Sequence, residues 1–177
     1  MQDALSKTTT LLIQSQTPNL ISFASGMIDQ NLWERPSHTR VIDAQIVESD
    51  FFALINNFTG YVVLTALLGT DFMAVYPSIL EDLQDLDSGM PYLMLGIPRW
   101  FPIPAMAKAS TARRRLDSNI DSFHRALDKV AAGEQPEEPW RDLTDVSNLI
   151  QARNAVYRDY HIPPALKGPL DLHFIWS

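Results

Sequence analysis

Apolar residues recur along most of the chain at spacings of three and four, the period of an amphipathic helix, and almost nowhere alternate as in a half-buried strand. After Pro18, with Asn19 suited to a cap, Leu20, Phe23, Ala24, Met27 and Ile28 keep that spacing and predict a helix ending near Leu32. Upstream, Leu5 to Gln16 predicts a helical stretch weakened by the β-branched run Thr8 to Thr10. Val41, Ile42, Ala44 and Ile46 are short and mixed, and read as an extended connector rather than a partnered strand. Ser49 and Asp50 then cap a long helix carried by Phe51, Leu54, Ile55, Phe58, Val62, Thr65 and Leu68, with Gly69 as its stop. That helix is apolar around much of its circumference and is expected to be central.

Tyr76-Pro77 opens the next predicted helix, with Ile79, Leu80, Leu83 and Leu86 on its buried stripe, Glu81, Asp82 and Asp85 facing out, and Ser88-Gly89 ending it. From Met90 to Pro104 the chain is apolar but interrupted by Pro91, Gly96, Pro98, Pro102 and Pro104, so it cannot run as one helix. The longest predicted helix follows, from about Pro104 to Ala132, with Met106, Ala109, Ala112, Leu116, Ile120, Phe123, Leu127 and Val130 on one face, ending at Gly133. An acidic, proline-bearing link from Glu134 to Pro139 leads to a helix through Val146, Leu149, Ile150, Arg153, Val156 and Tyr157, which Pro163-Pro164 breaks. Leu170 to Ser177 turns apolar again and reads as the first turns of another helix.

Composition narrows the chemistry. With 177 residues, 46% of them hydrophobic and 20% charged, the chain has the material for one cored domain and not for a disordered or coiled-coil protein. A formal net charge of −7 disfavours an electrostatic hold on nucleic acid, which needs a cationic surface. The complete lack of cysteine excludes disulfides, thiolate zinc sites, iron–sulfur ligation, cysteine nucleophiles and sulfur-held haem. No secretory leader is visible near Met1 to Lys7, and the apolar stretches Tyr61 to Leu68 and Met90 to Ile97 fall short of the roughly 18 to 20 residues a membrane span needs, so no span is expected. Asn57-Phe58-Thr59 matches a glycosylation acceptor by chance.

No phosphate loop, G-x-G-x-x-G, H-E-x-x-H or G-x-S-x-G occurs. The four histidines stand apart in sequence, so no local metal site is read from them, and His124 is expected on the helix surface or satisfied in the core. Asp85-Leu86-Asp87 reads as a solvated acidic helix end and Arg113-Arg114-Arg115 as a surface face. The Met90 to Pro104 loop must bury its Tyr92, Leu93, Met94, Leu95, Ile97, Trp100, Phe101 and Ile103 or present them to something apolar. It is either core or a lid over a hydrophobic ligand site.

Phe51-Phe52-Ala53-Leu54-Ile55-Asn56-Asn57-Phe58, Ala66-Leu67-Leu68-Gly69-Thr70-Asp71-Phe72, Tyr76-Pro77, Leu86-Asp87-Ser88-Gly89, Gly96-Ile97-Pro98-Arg99-Trp100-Phe101-Pro102 and Ala112-Arg113-Arg114-Arg115-Leu116 follow one another in an order that resembles fungal cytochrome P-450 monooxygenases. Within that family the chain looks most like the branch related to sterol 7α-hydroxylases and prostacyclin synthase. The likeness continues through Asp145-Val146-Ser147 and Ala152-Arg153-Asn154-Ala155-Val156-Tyr157-Arg158 to Leu172-His173-Phe174-Ile175-Trp176-Ser177.

The resemblance implies an all-α fold without substantial sheet: residues 1–177 form a single partial domain, a partial cytochrome P-450 fold running from helix D to the start of helix I. It makes the apolar loop the F–G lid, with Leu86, Met90, Tyr92, Leu93, Trp100 and Phe101 as substrate-access residues. Complete members are haem-thiolate oxidoreductases that hydroxylate apolar small molecules such as sterols, terpenoids or other secondary metabolites, usually at the endoplasmic reticulum membrane.

This chain lacks their cysteine ligand, their E-x-x-R helix and the I-helix acid-alcohol pair. Glu138-Pro139-Trp140-Arg141 matches E-x-x-R only in letters, since it lies in the proline-bearing link. No catalytic, cofactor-binding or metal residue is therefore assigned, and no cofactor is expected for this chain alone. The implied partners are a second polypeptide carrying the haem half, an apolar small molecule and, at the F–G loop, a membrane. The alternatives are one half of a split monooxygenase and a haem-free helical module that binds a hydrophobic ligand or a protein. Phe51, Phe58, Trp100, Phe101, Phe174 and Trp176 are expected to pack partly against helices and haem supplied from elsewhere, which leaves apolar surface exposed.

Overall fold

The computed structural model describes residues 2–26, 29–97, 102–163, 166–168 and 170–171. It is mostly helical, in the order α1 (Gln2–Gln16), β1 (Arg40–Asp43), β2 (Ile46–Glu48), α2 (Phe51–Leu68), α3 (Thr70–Val75), α4 (Ile79–Met94), α5 (Pro104–Ala131) and α6 (Asn148–Asp159). The all-helical expectation holds apart from one small sheet. The chain gathers into two compact units: Met1–Glu81 with Asp145–Ser147, and Asp82–Thr144 with Asn148–Ser177.

In the first unit, α2 is the core helix. Asp50 caps it as expected, its side chain accepting the Ala53 N–H at 2.9 Å. By length and composition α2 could cross a membrane, contrary to the expectation that no segment reaches that length. Half of it is buried, and Asn57, on the buried face, donates to Ser37 Oγ at 3.0 Å, which fits the core helix of a globular unit. The same burial withdraws Asn57 from any glycosylating enzyme.

The helix expected over Leu20 to Leu32 does not form; a 3-10 turn at Thr17–Asn19 leads into irregular backbone. Side-chain bonds take the place of a helical ladder. Glu34, fully buried, accepts the Ser22 N–H at 2.9 Å and the Asn31 N–H at 2.8 Å, and Gln30 donates to the Ala24 and Thr39 carbonyls. Trp33 donates to the Leu20 carbonyl at 2.9 Å and stacks edge-on against Phe58 of α2, centroids 5.3 Å apart. Phe58 is therefore a local core residue rather than one awaiting an outside partner, whereas Phe51 is 74% exposed.

The predicted connector is a hairpin: Arg40 pairs with Glu48 and Val41 with Val47 in an antiparallel two-stranded sheet. Its alternation leaves no signal in the sequence because both faces are largely exposed, so no apolar face marks the period.

Gly69 stops α2 as expected, at φ +90°, and a Cβ there would lie 2.3 Å from the Asp145 carboxylate. That carboxylate reaches back from the distant segment Asp145–Ser147 and accepts the Thr70 N–H and hydroxyl, both at 2.7 Å, capping α3 in place of the glycine's absent side chain. Val146 is thereby buried in the first unit, and α6 begins at Asn148, later than the apolar spacing indicated.

The second unit is built on α5. It begins at Pro104 as predicted and buries Met106, Ala109, Ala112, Leu116, Ile120, Phe123 and Leu127. Gly89 does not end α4, which continues through Pro91 to Met94. The glycine is a contact instead: a Cβ would sit 2.2 Å from Ala109 Cβ and 3.1 Å from the Ala105 carbonyl oxygen of α5. Gly89→Ala would gain about 1 kcal/mol of helix propensity but incur overpacking of about 1 to 3 kcal/mol. Net destabilisation is expected, and Ala109→Gly in the same chain should recover part of it; chemical denaturation of the two single variants and the double variant checks this.

Candidate functional site

Sequence reasoning misses a polar cluster among the described residues because its members are scattered from His124 to Asp171 and none belongs to a motif. On α5, His124 falls next to Phe123 and turns inward, 1% exposed. On α6, Arg153, Asn154 and Tyr157 share a face at three- and four-residue spacing, and α6 packs on α5. The third contributor is the segment carrying Lys167 and Asp171, whose side chains are buried. Gly168 lets this segment lie against Asp117 of α5, where a Cβ would come within 3.2 Å of the carboxylate.

His124 Nε2 bonds one oxygen of Asp171, and Nδ1 lies 2.9 Å from Asn154 Oδ1. The other Asp171 oxygen accepts Arg153 Nε at 2.5 Å and the Tyr157 hydroxyl at 2.6 Å. Asn154 Nδ2 donates to Asp128 Oδ1 at 2.8 Å, and Asp128 also meets Lys167 Nζ at 3.2 Å and Arg158 Nη1 at 3.3 Å. Burial alone would push the Asp171 carboxyl up, but the bonds from His124, Tyr157 and Arg153 together hold it below its ordinary value. Burial pushes the Tyr157 phenol up, and the neighbouring Asp171 carboxylate raises it further, so the hydroxyl stays a donor. His124 is thus a satisfied core histidine, the second of the two placements expected from sequence.

A second buried carboxylate lies on α4. Asp82 was expected to face outward; it is fully buried and gripped by Arg115 of α5, whose Nε lies 3.0 and 3.1 Å from its two oxygens. Arg113 and Arg114 keep the exposed face expected for the triplet, whereas Arg115 turns its guanidinium to Asp82. Asp87 is exposed and Asp85 half-buried, in keeping with an acidic helix surface.

The proposed lid residues divide. Leu86 is buried in α4, Met90 and Tyr92 are half-buried there, and the backbone of Leu93 continues the same helix. The irregular stretch therefore starts after Met94 and not at Met90. Trp100 and Phe101 lie outside the described residues, as do Phe174 and Trp176. Met94 and Leu95 are 82% and 76% exposed at the end of α4.

A groove of about 430 Å3 in the first unit is lined by His38, Arg40, Glu48, Ser49 and Asp50. Its polar groups are engaged locally: Arg40 pairs with Glu48, Asp50 caps α2, and Ser49 Oγ lies 2.8 Å from Thr39 Oγ1. Such a lining does not suit an apolar ligand.

Haem is the group implied by the resemblance, and the cysteine thiolate that would hold it has no counterpart in this chain. The chain has no cysteine, and His124 has both ring nitrogens engaged, so iron could take one only by displacing Asp171 or Asn154. His38 and His161 are exposed on irregular backbone. Compared with known proteins, the chain matches no family model, no curated protein and no solved structure.

Proposed function

We propose that this chain is a section of a cytochrome P-450-like monooxygenase, supplying helices around a channel for an apolar small molecule and carrying out no oxygen chemistry alone. The observation that carries the reading is the ordered series of segments from Phe51-Phe52-Ala53-Leu54 to Ala152-Arg153-Asn154-Ala155. Its compatibility with successive helices α2 to α6 supports it. A haem-bearing second polypeptide, or a further stretch of the same one, would complete the enzyme, and the lid at the end of α4 would meet substrate or membrane.

Sequencing the transcript and its surroundings tests the reading. It predicts a reading frame encoding an I-helix acid-alcohol pair, an E-x-x-R helix and a cysteine loop; a transcript without any of them refutes it. The purified chain mixed with haem and reduced under carbon monoxide is expected to give no thiolate-type absorbance band, because no cysteine is present to produce it. A thiolate-type band from pure protein would show that the chain is not catalytically incomplete.

A second reading, a helical module that binds a hydrophobic ligand or protein, is favoured by Phe51 and Phe52, 74% and 82% exposed at the start of α2. An apolar compound that raises the melting temperature of the isolated chain in proportion to its concentration supports this module.

A further inference from the structure

We propose that the outward face of α2 seats on a lipid surface of neutral headgroups, the helix lying in the plane of the membrane and not across it. The inference does not rest on the monooxygenase reading. It assigns the exposed phenylalanines of the second reading to a bilayer in place of a soluble ligand or protein.

Charged residues make up 20% of the chain, yet none occurs from Phe51 to Thr70. The inner side of α2 needs none, because Leu54, Phe58, Val62 and Thr65 are buried. Its outer side has none either. Phe52, Ile55, Thr59 and Val63 follow one another at spacings of three and four and so form one stripe, with Phe51 a turn before Ile55 at its edge. All five are exposed, Phe51 and Phe52 the most. A surface helix ordinarily carries charged residues on its water face, and this one does not. The single hydroxyl of the stripe is turned back on its own helix: Thr59 Oγ1 donates to the Ile55 carbonyl at 2.9 Å, so its donor is satisfied without water. Asn56 lies at the edge of the exposed arc, where headgroups would meet it. The neighbouring α1, which packs on α2, carries no charge after Lys7 and exposes Leu11 and Ile13.

Area and charge choose the occupant. The two phenylalanines offer about 150 Å2 each and the whole stripe roughly 400 to 500 Å2, against roughly 800 Å2 per partner in a stable dimer. A second copy seated here would bury too little, whereas an interfacial helix needs only its apolar face sunk into the headgroup boundary. The charges bordering the helix select the lipid. Asp50 caps its first turn, Asp43 and Glu48 are exposed on the preceding hairpin, and Arg40 is already paired with Glu48. With acidic groups at that end and a net charge of −7, anionic headgroups are repelled and attraction comes from apolar burial.

Flotation of the full 177-residue chain with phosphatidylcholine vesicles tests it. The parent is expected to float with the vesicles equally at low and high salt, and Phe51→Ser with Phe52→Ser to lower its partition coefficient by about tenfold or more. Both side chains are exposed, so this variant should keep the parent's melting transition. Met94→Ser with Leu95→Ser, at the end of α4, should float like the parent; if that variant alone stays behind, the contact is the lid and the proposal is overturned. Because the chain has no cysteine, a nitroxide on Thr59→Cys reports that site alone. On vesicles it should become more accessible to oxygen and shielded from a water-soluble nickel chelate, and unchanged access overturns the proposal independently of the serine variants. Binding that strengthens with phosphatidylserine and fades with salt overturns it in favour of an electrostatic contact. A parent that stays in solution overturns it as well, and sedimentation as a dimer that Phe51→Ser with Phe52→Ser dissociates would assign the face to a second copy.

Discussion

Arg115→Met is expected to lower stability by about 2 to 3 kcal/mol. Asp82 has no exposed side-chain area and Arg115 has 53%, so the pair is buried at one end only. Removing one partner of a fully buried pair costs about 3 to 5 kcal/mol, because the remaining charge loses a directly bonded counter-charge. The exposed guanidinium lowers that figure here, since water enters the space it leaves and partly solvates the carboxylate. An apolar replacement of both partners removes the two charges together, so Asp82→Leu with Arg115→Met should cost less than the sum of the two single changes. Urea denaturation of the four proteins measures the coupling; additive costs would mean that the pair contributes nothing beyond its separate contacts.

This pair also marks how much of the fold was legible in the chain. The apolar spacing placed α2, α4 and α5 because a stripe at three and four residues is a property of the sequence alone. It put Asp82 on the outer face because no periodicity encodes a partner 33 positions away. The Leu20 to Leu32 helix failed for a related reason: its stripe is genuine, but the backbone donors at Ser22 and Asn31 are claimed by a buried Glu34. Gly89 is ambiguous in sequence because glycine serves both as a stop and as a crossing point, and only Ala105 and Ala109 on the facing helix distinguish the two. The His124 cluster stayed hidden because its histidine, amide, phenol and carboxylate come from three segments. Arg153, Asn154 and Tyr157, polar side chains at three- and four-residue spacing on α6, are the one signal the sequence offers, and the helix reading includes Arg153 and Tyr157 without Asn154.

Asp171→Ala should cost about 3 to 5 kcal/mol near neutral pH, because it removes from a buried site the carboxylate that meets His124 Nε2 and accepts the Tyr157 hydroxyl. The same residue gives the protein a sensitivity to acid whose sign follows from its depressed folded value. A carboxyl held below the 3.8 of an ordinary aspartate binds its proton later in the folded chain than in the unfolded one. Its stabilising contribution is therefore complete above about pH 5 and is lost as the pH falls through the ordinary value to the folded one. Asp117 acts the other way: burial raises its carboxyl, Arg113 only partly offsets this, and its folded form takes up a proton first as the pH falls. The net acid slope of the parent is the difference between these terms, which makes the parent curve alone a poor test. Comparing urea midpoints of parent and Asp171→Ala at pH 7 and at successively lower pH isolates the Asp171 term: the gap between the two proteins should be widest at pH 7 and narrow steadily below pH 5. A gap that stays constant into acid would show that Asp171 stabilises the cluster through its shape and not through its charge.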